Sequence, residues 1–520
     1  MELTILATSD LHGYILPSNF GSRQQDLPFG VAKVATILKE EQKKAQGPVI
    51  LIENGDFIQG SPLSYYIAKR RKTEDPTDLM ATLNTIGYDV GLLGNHEFNY
   101  GTDYLKKAIQ AVNYPVICAN ILNEAGKPAF GNAYEIIEKE GVKIAILGLT
   151  TQYIPNWEHP DHIKGLTFKS IVETAKEYVP KLRQLADVVI VSYHGGFEKD
   201  LETGKPTEVL TGENEAYQLL MEVSGIDALI TGHQHRVIAT QINGVPVIQP
   251  GFRGEYVGEI KLDLEKNATG FKVKTGESSL VATGEALPDE TIMKQIASIS
   301  EEVEDWLDQP LGKVSGDMTI KDSNQARMVE HPYVEFIQKV QMAATGTDIS
   351  GTALFNNEGK GFGEIITMRD VVTNYIYPNT LAVLNVSGAD LKAALERSAA
   401  FFQVEKDGSI GINPEFINPK PQYYNYDMYE GVDYTINVKN PIGQRIEKLM
   451  YHGQPVRPTD SLEVTANQYR AVGGGDYGMY DASKIIREVQ TDMTELIADY
   501  LVEHPVIEAT TNQNFHVIID

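Results

Sequence analysis

The chain is 520 residues long, 42% apolar and 22% charged, a globular composition in a length that exceeds what one hydrophobic core organises. Its formal net charge of -26 argues against nucleic-acid polymers and anionic membrane surfaces as partners, since both are drawn to basic faces, but leaves room for a small anion where a bound cation sets the local field. One cysteine, Cys118, rules out an internal disulfide and thiolate-built zinc or iron–sulfur sites.

From the N-terminus, residues 1–8 pass directly into a strand-like run without a basic or cleavable leader, so the chain as it stands reads as cytoplasmic, with a secreted form trimmed of its leader as the alternative; no apolar stretch approaches a membrane span. Short runs rich in valine, isoleucine and leucine follow at 3–7, 49–52, 90–93, 144–147, 188–191, 228–230 and 245–248. They lack polar alternation, the pattern of strands buried on both faces. Amphipathic stretches lie between them, such as the one that places Val31, Val34, Ala35 and Leu38 on one helical face. Residues 1–286 therefore read as a layered α/β domain. Residues 287–310, highly charged and bounded by prolines, read as a linker helix. Residues 311–520 read as α+β: a capped helix over 387–402, alternating antiparallel strands at 433–438, 446–451 and 462–466, and a closing helix at 492–502.

Five of the early runs lead straight into metal-binding residue types: Asp10-Leu11-His12, Gly55-Asp56, Gly94-Asn95-His96-Glu97, His194-Gly195-Gly196 and Gly232-His233-Gln234-His235. Groups beyond the carboxyl ends of parallel strands share one crevice, so ligands distant in sequence can meet there. Carboxylate, imidazole and amide oxygen together suit manganese, iron(II), zinc or similar divalent ions. Two such ions about 3.5–4 Å apart need a shared ligand and can clamp the attacking and leaving oxygens of a phosphoryl transfer. Gly55, Gly94 and Gly232 let the backbone turn where a larger residue would block the site. Any one of these motifs is commonly a surface turn; five of them in this placement are not. His159, His162, His331, His452, His504 and His516 lie outside the motifs and read as solvated or structural.

Together, Ser9-Asp10-Leu11-His12-Gly13 and the four motifs after it resemble the signature of the calcineurin-like metallophosphoesterases. With the C-terminal half included, nearly the whole chain resembles the 5′-nucleotidase / 2′,3′-cyclic-nucleotide phosphodiesterase family. The resemblance implies an α/β/β/α sandwich joined by the linker helix to an α+β substrate-binding domain. It implies two divalent metal ions, one held by Asp10, His12, Asp56 and His235, the other by Asp56, Asn95, His194 and His233, with Asp56 bridging. His96 would be the catalytic imidazole and a metal-activated water the nucleophile. Many 5′-nucleotidases of the family carry an aspartate three residues after that histidine. Here Asn99 stands there; it can orient the ring but brings no charge. The His96-Glu97-Phe98-Asn99-Tyr100-Gly101 form resembles the branch that hydrolyses 2′,3′-cyclic nucleotides and 3′-nucleotides, as does His235 where the 5′-nucleotidase branch often has glutamine.

In the second domain, Ile376-Tyr377-Pro378-Asn379-Thr380 and the segment from Asn467 to Asp476 resemble the family's base-binding segments. Tyr377 and Tyr469 would sandwich the base beside the Gly473, Gly474 and Gly475 turn, a contact worth roughly 1–3 kcal/mol per stacked base in nucleic-acid binders. The arginines that the 5′-nucleotidase branch uses have only partial counterparts: Asn356-Asn357-Glu358-Gly359-Lys360-Gly361 stands where one is expected, and Arg327 lies near another such position. The expected activity is that of a 2′,3′-cyclic-nucleotide 2′-phosphodiesterase with 3′-nucleotidase activity. A 5′-nucleotidase or nucleotide-sugar hydrolase is the alternative within the same chemistry, and a catalytically silent nucleotide binder the alternative outside it. A metalloprotease would need a His-Glu-x-x-His helix, which the chain lacks. The expected partner is a small nucleotide, with no nucleic-acid polymer and no membrane; the oligomeric state stays open. With metals on one domain and the base on the other, substrate would enter a cleft between them, gated by rotation about the linker.

Overall fold

The computed structural model describes residues 1–156, 158–207, 210–268, 270–377, 379–489 and 491–520; Pro378 of the expected base-binding segment lies outside the described residues. The chain divides into two compact units, Met1–Val303 and Glu304–Asp520.

In the first unit, β1 (Glu2–Thr8), β2 (Val49–Glu53), β3 (Val90–Leu92) and β4 (Val116–Ile117) run parallel in one sheet. Their crossovers carry α1 (Val31–Lys44), α2 (Thr77–Ile86) and α3 (Gly101–Ala111). A second sheet holds β5 (Tyr134–Lys139), β6 (Val142–Thr150), β7 (Val188–His194), β8 (Ala228–Ile230), β9 (Val237–Ile242) and β10 (Val245–Pro250). Here β6, β7, β8 and β10 are parallel, and α4 (Ile171–Leu182) and α5 (Ala216–Glu222) connect them. The chain then returns through β11 (Tyr256–Lys266) and β12 (Phe271–Ala282) to the antiparallel edge of the first sheet. The strand orders are β12-β11-β1-β2-β3-β4 and β9-β10-β8-β7-β6-β5.

The uninterrupted apolar runs have a physical reason. Alternate residues of a strand face opposite ways, and here both ways lead to a core. Leu3, Ile5, Ile50 and Ile52 of the first sheet meet Ile144, Ile146, Val188, Ile190 and Ile230 of the second in one buried cluster. Their neighbours Leu147, Val189 and Val191 turn outward and pack with Ile171, Val172, Ala175 and Leu219 of the covering helices. Each such valine, leucine or isoleucine side chain, fully buried, contributes about 1.5–3 kcal/mol. The result is the expected α/β/β/α sandwich.

Helix α6 (Glu290–Leu307) lies within the segment expected to be a linker helix. Asp289 caps it, its Oδ1 accepting hydrogen bonds from the backbone of Thr291 and Ile292. It buries Ile292, Ile296, Ile299 and Val303 along one stripe.

The second unit is α+β. It comprises β13 (Pro310–Ser315), α7 (Ser323–Met328), α8 (Pro332–Thr345), β14 (Ile349–Ala353), β15 (Ile365–Thr367), α9 (Met368–Asn374), β16 (Leu381–Ser387) and α10 (Gly388–Ala399). After these come β17 (Asp427–Glu430), β18 (Asp433–Asn437), β19 (Ile446–Tyr451), β20 (Gln454–Pro455), β21 (Ser461–Asn467), β22 (Ile485–Val489), α11 (Met493–Glu503), β23 (Val506–Glu508) and β24 (Phe515–Ile518). The central sheet has the order β17-β14-β21-β16-β22. Ser387 and Asp390 start α10 with a reciprocal capping box.

Three expectations need correction. Helix α10 stops at Ala399, because Phe402 opens a short strand over Phe402–Val404. The alternating strands are not uniformly antiparallel: β21 pairs antiparallel with β16 but parallel with β14. The chain does not close on a helix, since β23 and β24 come after α11 and pair in parallel with β13 and β18. Among the described residues no helix is long and apolar enough to cross a membrane.

Candidate metal centre

All five motifs emerge from the carboxyl ends of β1, β2, β3, β7 and β8. The loops are laced together by their backbones: Asp10 N–H donates to Gly55 O at 2.9 Å and His12 N–H to Asp56 O at 2.8 Å. Asp10, His12, Asp56, His233 and His235 all have positive φ, between 50° and 67°. Side chains other than glycine rarely adopt that conformation, and it persists where surrounding structure over-determines it, as at functional sites. Two glycines are there for space. A Cβ on Gly94 would come within 2.2 Å of Asp56 Oδ1, and one on Gly232 within 2.8 Å of Asp10 Oδ2.

Glu97 is the mortar between two loops. Its buried carboxylate accepts from Asp56 N at 2.8 Å, Gly94 N at 2.6 Å and Phe57 N at 2.7 Å. Asp56 is thereby fixed by a residue that itself has no need to touch a metal.

The side chains gather in two groups. Ligand atoms of Asp10, His12 and His235 lie within 4.8 Å of one another, and so do those of Asp56, His194 and His233. His12 Nε2 is 3.0 Å from His235 Nε2 and 3.9 Å from Asp56 Oδ2, and His194 Nε2 is 3.1 Å from that same oxygen. Asp56 thus faces both groups. Backbone carbonyls set the tautomers: His12 Nδ1 lies 2.9 Å from Gln59 O, and His194 Nδ1 lies 2.6 Å from Asn54 O. A carbonyl only accepts, so Nδ1 carries the proton and the Nε2 lone pair of the neutral ring points inward. Asp56 Oδ2 and His194 Nε2 are buried, and among the described residues neither is paired outside the cluster. His233 places Nδ1 2.8 Å from Asn95 Oδ1, with Glu213 Oε1 2.8 Å from its Nε2. His235 stacks on Phe252 with ring centroids 4.9 Å apart.

The cluster's charge is unbalanced. Burial opposes protonation of His194, yet Asp56 and Asp10 outweigh it and lift the ring to about 10. Burial would raise Asp10, but His194 and His235 hold it down at about 2. Burial pushes His12 down to about 3. The carboxylates are drawing positive charge into a dry site, and imidazoles must be neutral to ligate metal. Divalent cations would take the place of that proton. Asp10, His12, Asp56, Asn95, His194, His233 and His235 fit such ions in donor type, and His12 and His194 fit them in tautomer as well.

His96 stands beside this group. Its backbone N–H donates to Asp56 Oδ1 at 2.7 Å, and its ring meets that of His12 edge-on, centroids 5.1 Å apart. Its Nδ1 is 2.6 Å from Asn99 Oδ1, and Asn99 Nδ2 donates to Glu158 Oε2 at 2.7 Å. A carboxylate only accepts, so the amide orientation is fixed and His96 Nδ1 must be the protonated nitrogen, leaving Nε2 free for chemistry. Glu158 Oε1 is 2.8 Å from His162 Nδ1. The negative charge missing from Asn99 is therefore present one residue further out. Glu158, Glu213 and the engaged His162 belong to no motif, and each comes from an irregular segment or a short 3₁₀ turn that no spacing rule marks.

In the second unit Tyr377 is half-buried, packed edge-on to Phe355 at 5.3 Å. Tyr469 is half-buried edge-on to Tyr424 at 6.3 Å, and Gly474 N–H donates back to its carbonyl at 3.0 Å. Gly473, Gly474 and Gly475 form the turn around Arg470, whose Nη1 donates to Gly474 O. Arg327 is fully buried and donates to Leu354 O at 2.8 Å and to Asn357 Oδ1 at 2.8 Å, so the Asn356-Asn357 segment cradles it.

A four-layer sandwich with carboxylates and imidazoles converging beyond its strand ends defines a metallophosphoesterase. Residues 3–237 match the calcineurin-like phosphoesterase family, and residues 310–482 the 5′-nucleotidase C-terminal domain. A 2′,3′-cyclic-nucleotide 2′-phosphodiesterase/3′-nucleotidase of Yersinia enterocolitica is 30% identical, over 93% of this chain and 82% of that protein. The trifunctional nucleotide phosphoesterase protein YfkN of Bacillus subtilis is 28% identical over 99% of this chain, which spans 39% of the length of that relative. A crystal structure described as a 5′-nucleotidase from Staphylococcus aureus, in complex with α-ketoglutarate, is similar with 39% identity and a TM-score of 0.92, covering 99% of this chain and 100% of that one. The chain belongs to the calcineurin-like phosphoesterases that carry a 5′-nucleotidase C-terminal domain, and it is a metal-dependent phosphoester hydrolase.

Proposed function

We propose that the chain is a two-metal hydrolase of nucleotide phosphoesters, acting as a 2′,3′-cyclic-nucleotide 2′-phosphodiesterase with 3′-nucleotidase activity. Asp10, His12, Asp56 and His235 hold one cation, and Asp56, Asn95, His194 and His233 hold the other. The observation that carries this reading is the pair of ligand groups facing Asp56, whose Oδ2 is buried and, among the described residues, paired only within the cluster. When bound, the cations polarise phosphoryl oxygens and acidify water. The protein's own groups do the rest. Glu97 and the carbonyls of Gln59 and Asn54 keep the donors aimed inward. His96, held at Nδ1 by Asn99, presents Nε2 to the leaving oxygen; with both ring nitrogens protonated it gives the Nε2 proton to that oxygen as the phosphorus–oxygen bond breaks and is left as the neutral Nδ1-H ring. Tyr377 and Tyr469 stack on the base beside the Gly473, Gly474 and Gly475 turn.

Substrate preference rests on Asn99 in place of an aspartate and on the names of the Yersinia relative and its kin. The 39% identical Staphylococcus structure, described as a 5′-nucleotidase, favours a second reading with 5′-nucleotides as substrate. Hydrolysis of 2′,3′-cAMP, 3′-AMP and 5′-AMP at matched concentrations with manganese separates the two. Faster turnover of the cyclic and 3′ substrates is expected; faster 5′-AMP hydrolysis overturns the first reading in favour of the second.

A further inference from the structure

A second group of buried carboxylates lies in the second unit. Glu330 sits between α7 and α8, Glu335 in the first turn of α8, and Glu430 at the end of β17. They are 7%, 2% and 6% exposed, so each is more than nine-tenths buried. One oxygen of each is accounted for. Glu330 Oε2 accepts from the Gln513 backbone, Glu335 Oε1 from Thr510 Oγ1 at 2.8 Å and from Lys339 Nζ, and Glu430 Oε1 from Asn512 Nδ2 at 2.6 Å. The other three, Glu330 Oε1, Glu335 Oε2 and Glu430 Oε2, are buried and, among the described residues, have no partner outside the group, Glu330 and Glu335 meeting carboxyl to carboxyl. One carboxylate oxygen from each residue lies within 4.8 Å of the others.

Three carboxylates at this separation, with one lysine against them, cannot all be ionised away from water unless a positive charge joins them. Burial, then Glu335 and Glu430, pushes Glu330 up to about 8, the direction of a group in want of such a charge. We propose that Glu330, Glu335 and Glu430 form a structural site for a hard divalent cation, calcium by preference, which fastens residues 510–514 to α8 and β17. All-oxygen carboxylate donors select calcium, magnesium or manganese over zinc. Burial leaves little room for the waters that magnesium keeps, whereas calcium takes protein oxygens at 2.3–2.6 Å in flexible geometry. The imidazole-rich centre of the first unit discriminates against calcium, so calcium added after manganese fills the carboxylate site alone. The cation would anchor the approach to β24, the last strand, through Thr510, Asn512 and Gln513.

The test uses the full chain, stripped with EDTA and reloaded with manganese. Equilibrium dialysis against radioactive calcium should find one more calcium per chain in the wild type than in Glu330→Gln or Glu430→Gln. Calcium should raise the melting temperature of the wild type only, and slow amide exchange over 510–518. Turnover with manganese should be the same in all three proteins, which reports that the variants fold. Equal calcium binding in wild type and variants would overturn the site. So would a wild type that binds no calcium and melts below its glutamine variants, the behaviour of carboxylates sharing a proton. The wild-type count stands without any variant.

Discussion

Two sites bury charge in opposite ways, the candidate metal centre of the first unit and the surroundings of Arg470 in the second. In the first, Asp56 Oδ2 and His194 Nε2 are buried and, among the described residues, paired only within the cluster, and carbonyls hold the tautomers that keep lone pairs pointing inward. In the second, Arg470 is 1% exposed yet saturated: Nε and Nη2 reach both oxygens of Asp427 at 2.6 and 3.2 Å, Nη2 donates to Tyr424 O at 2.7 Å, and the guanidinium lies 3.7 Å from the Tyr477 ring centroid. Burial alone therefore says nothing about purpose. Open donor atoms mark a place for a ligand, and closed ones mark a rivet.

That contrast can be broken by substitution. Asp56→Ala should abolish turnover by about a thousandfold or more, because several kcal/mol of cation-derived stabilisation are lost. Metal analysis should show depleted binding while circular dichroism stays native; full metal content would contradict the shared-ligand role. Arg470→Met should do the reverse. It strands Asp427 as an uncompensated buried charge and costs about 3–5 kcal/mol of stability, read in denaturant, with the manganese content of the folded protein unchanged.

Smaller effects sharpen the comparison inside the first unit. Glu158→Gln keeps every candidate ligand but removes the charge behind Asn99. A loss in kcat of roughly tenfold to a hundredfold is expected, with KM and metal content held, as for other outer-sphere partners. Adding Asn99→Asp to that variant should restore rate by bringing a carboxylate to the ring directly. No rescue, or loss of metal, would make Glu158 a packing residue only.

The mildest effect concerns pH. Glu330 has a pKa raised to about 8 by burial and by Glu335 and Glu430, with Lys339 on the far side of Glu335. A carboxylate raised on folding favours the folded state below its ordinary value near 4.5, and that contribution is lost as pH climbs through about 8. Without calcium the melting temperature should drift down across that window, and calcium should flatten the drift. A flat profile in both conditions would count against Glu330 as the titrating group.

Much of the metal centre was legible because its chemistry is concentrated at strand ends. A buried parallel strand announces itself by an unbroken apolar run, and the residues just beyond its carboxyl end sit at the crevice. Asp10, Asp56, Asn95, His194, His233 and His235 all obey that logic. Glu213 and Glu158 do not, since they reach His233 and Asn99 from irregular segments whose paths are set by tertiary packing. His162, read as solvated or structural, proves to be joined to Glu158 for the same reason. The C-terminal strands β23 and β24 escaped because they are short and pair with β13 and β18, nearly two hundred residues away in the first case and eighty in the second. Nothing local distinguishes such segments from loops. The Glu330, Glu335 and Glu430 group is invisible in sequence because three separate elements supply it.

The return of β11 and β12 to the edge beside β1 has a consequence for synthesis. Asp10, His12, Asp56 and Asn95 belong to the first sheet, His194, His233 and His235 to the second, yet the first sheet gains its β1 neighbour only when residues 256–266 appear. A nascent chain that has exposed all seven candidate ligands still lacks the strand that completes the sheet carrying four of them. Capture of metal by these candidate ligands would then wait for residues 256–266, and a product ending before β11 would be left with donors and no rigid frame to aim them.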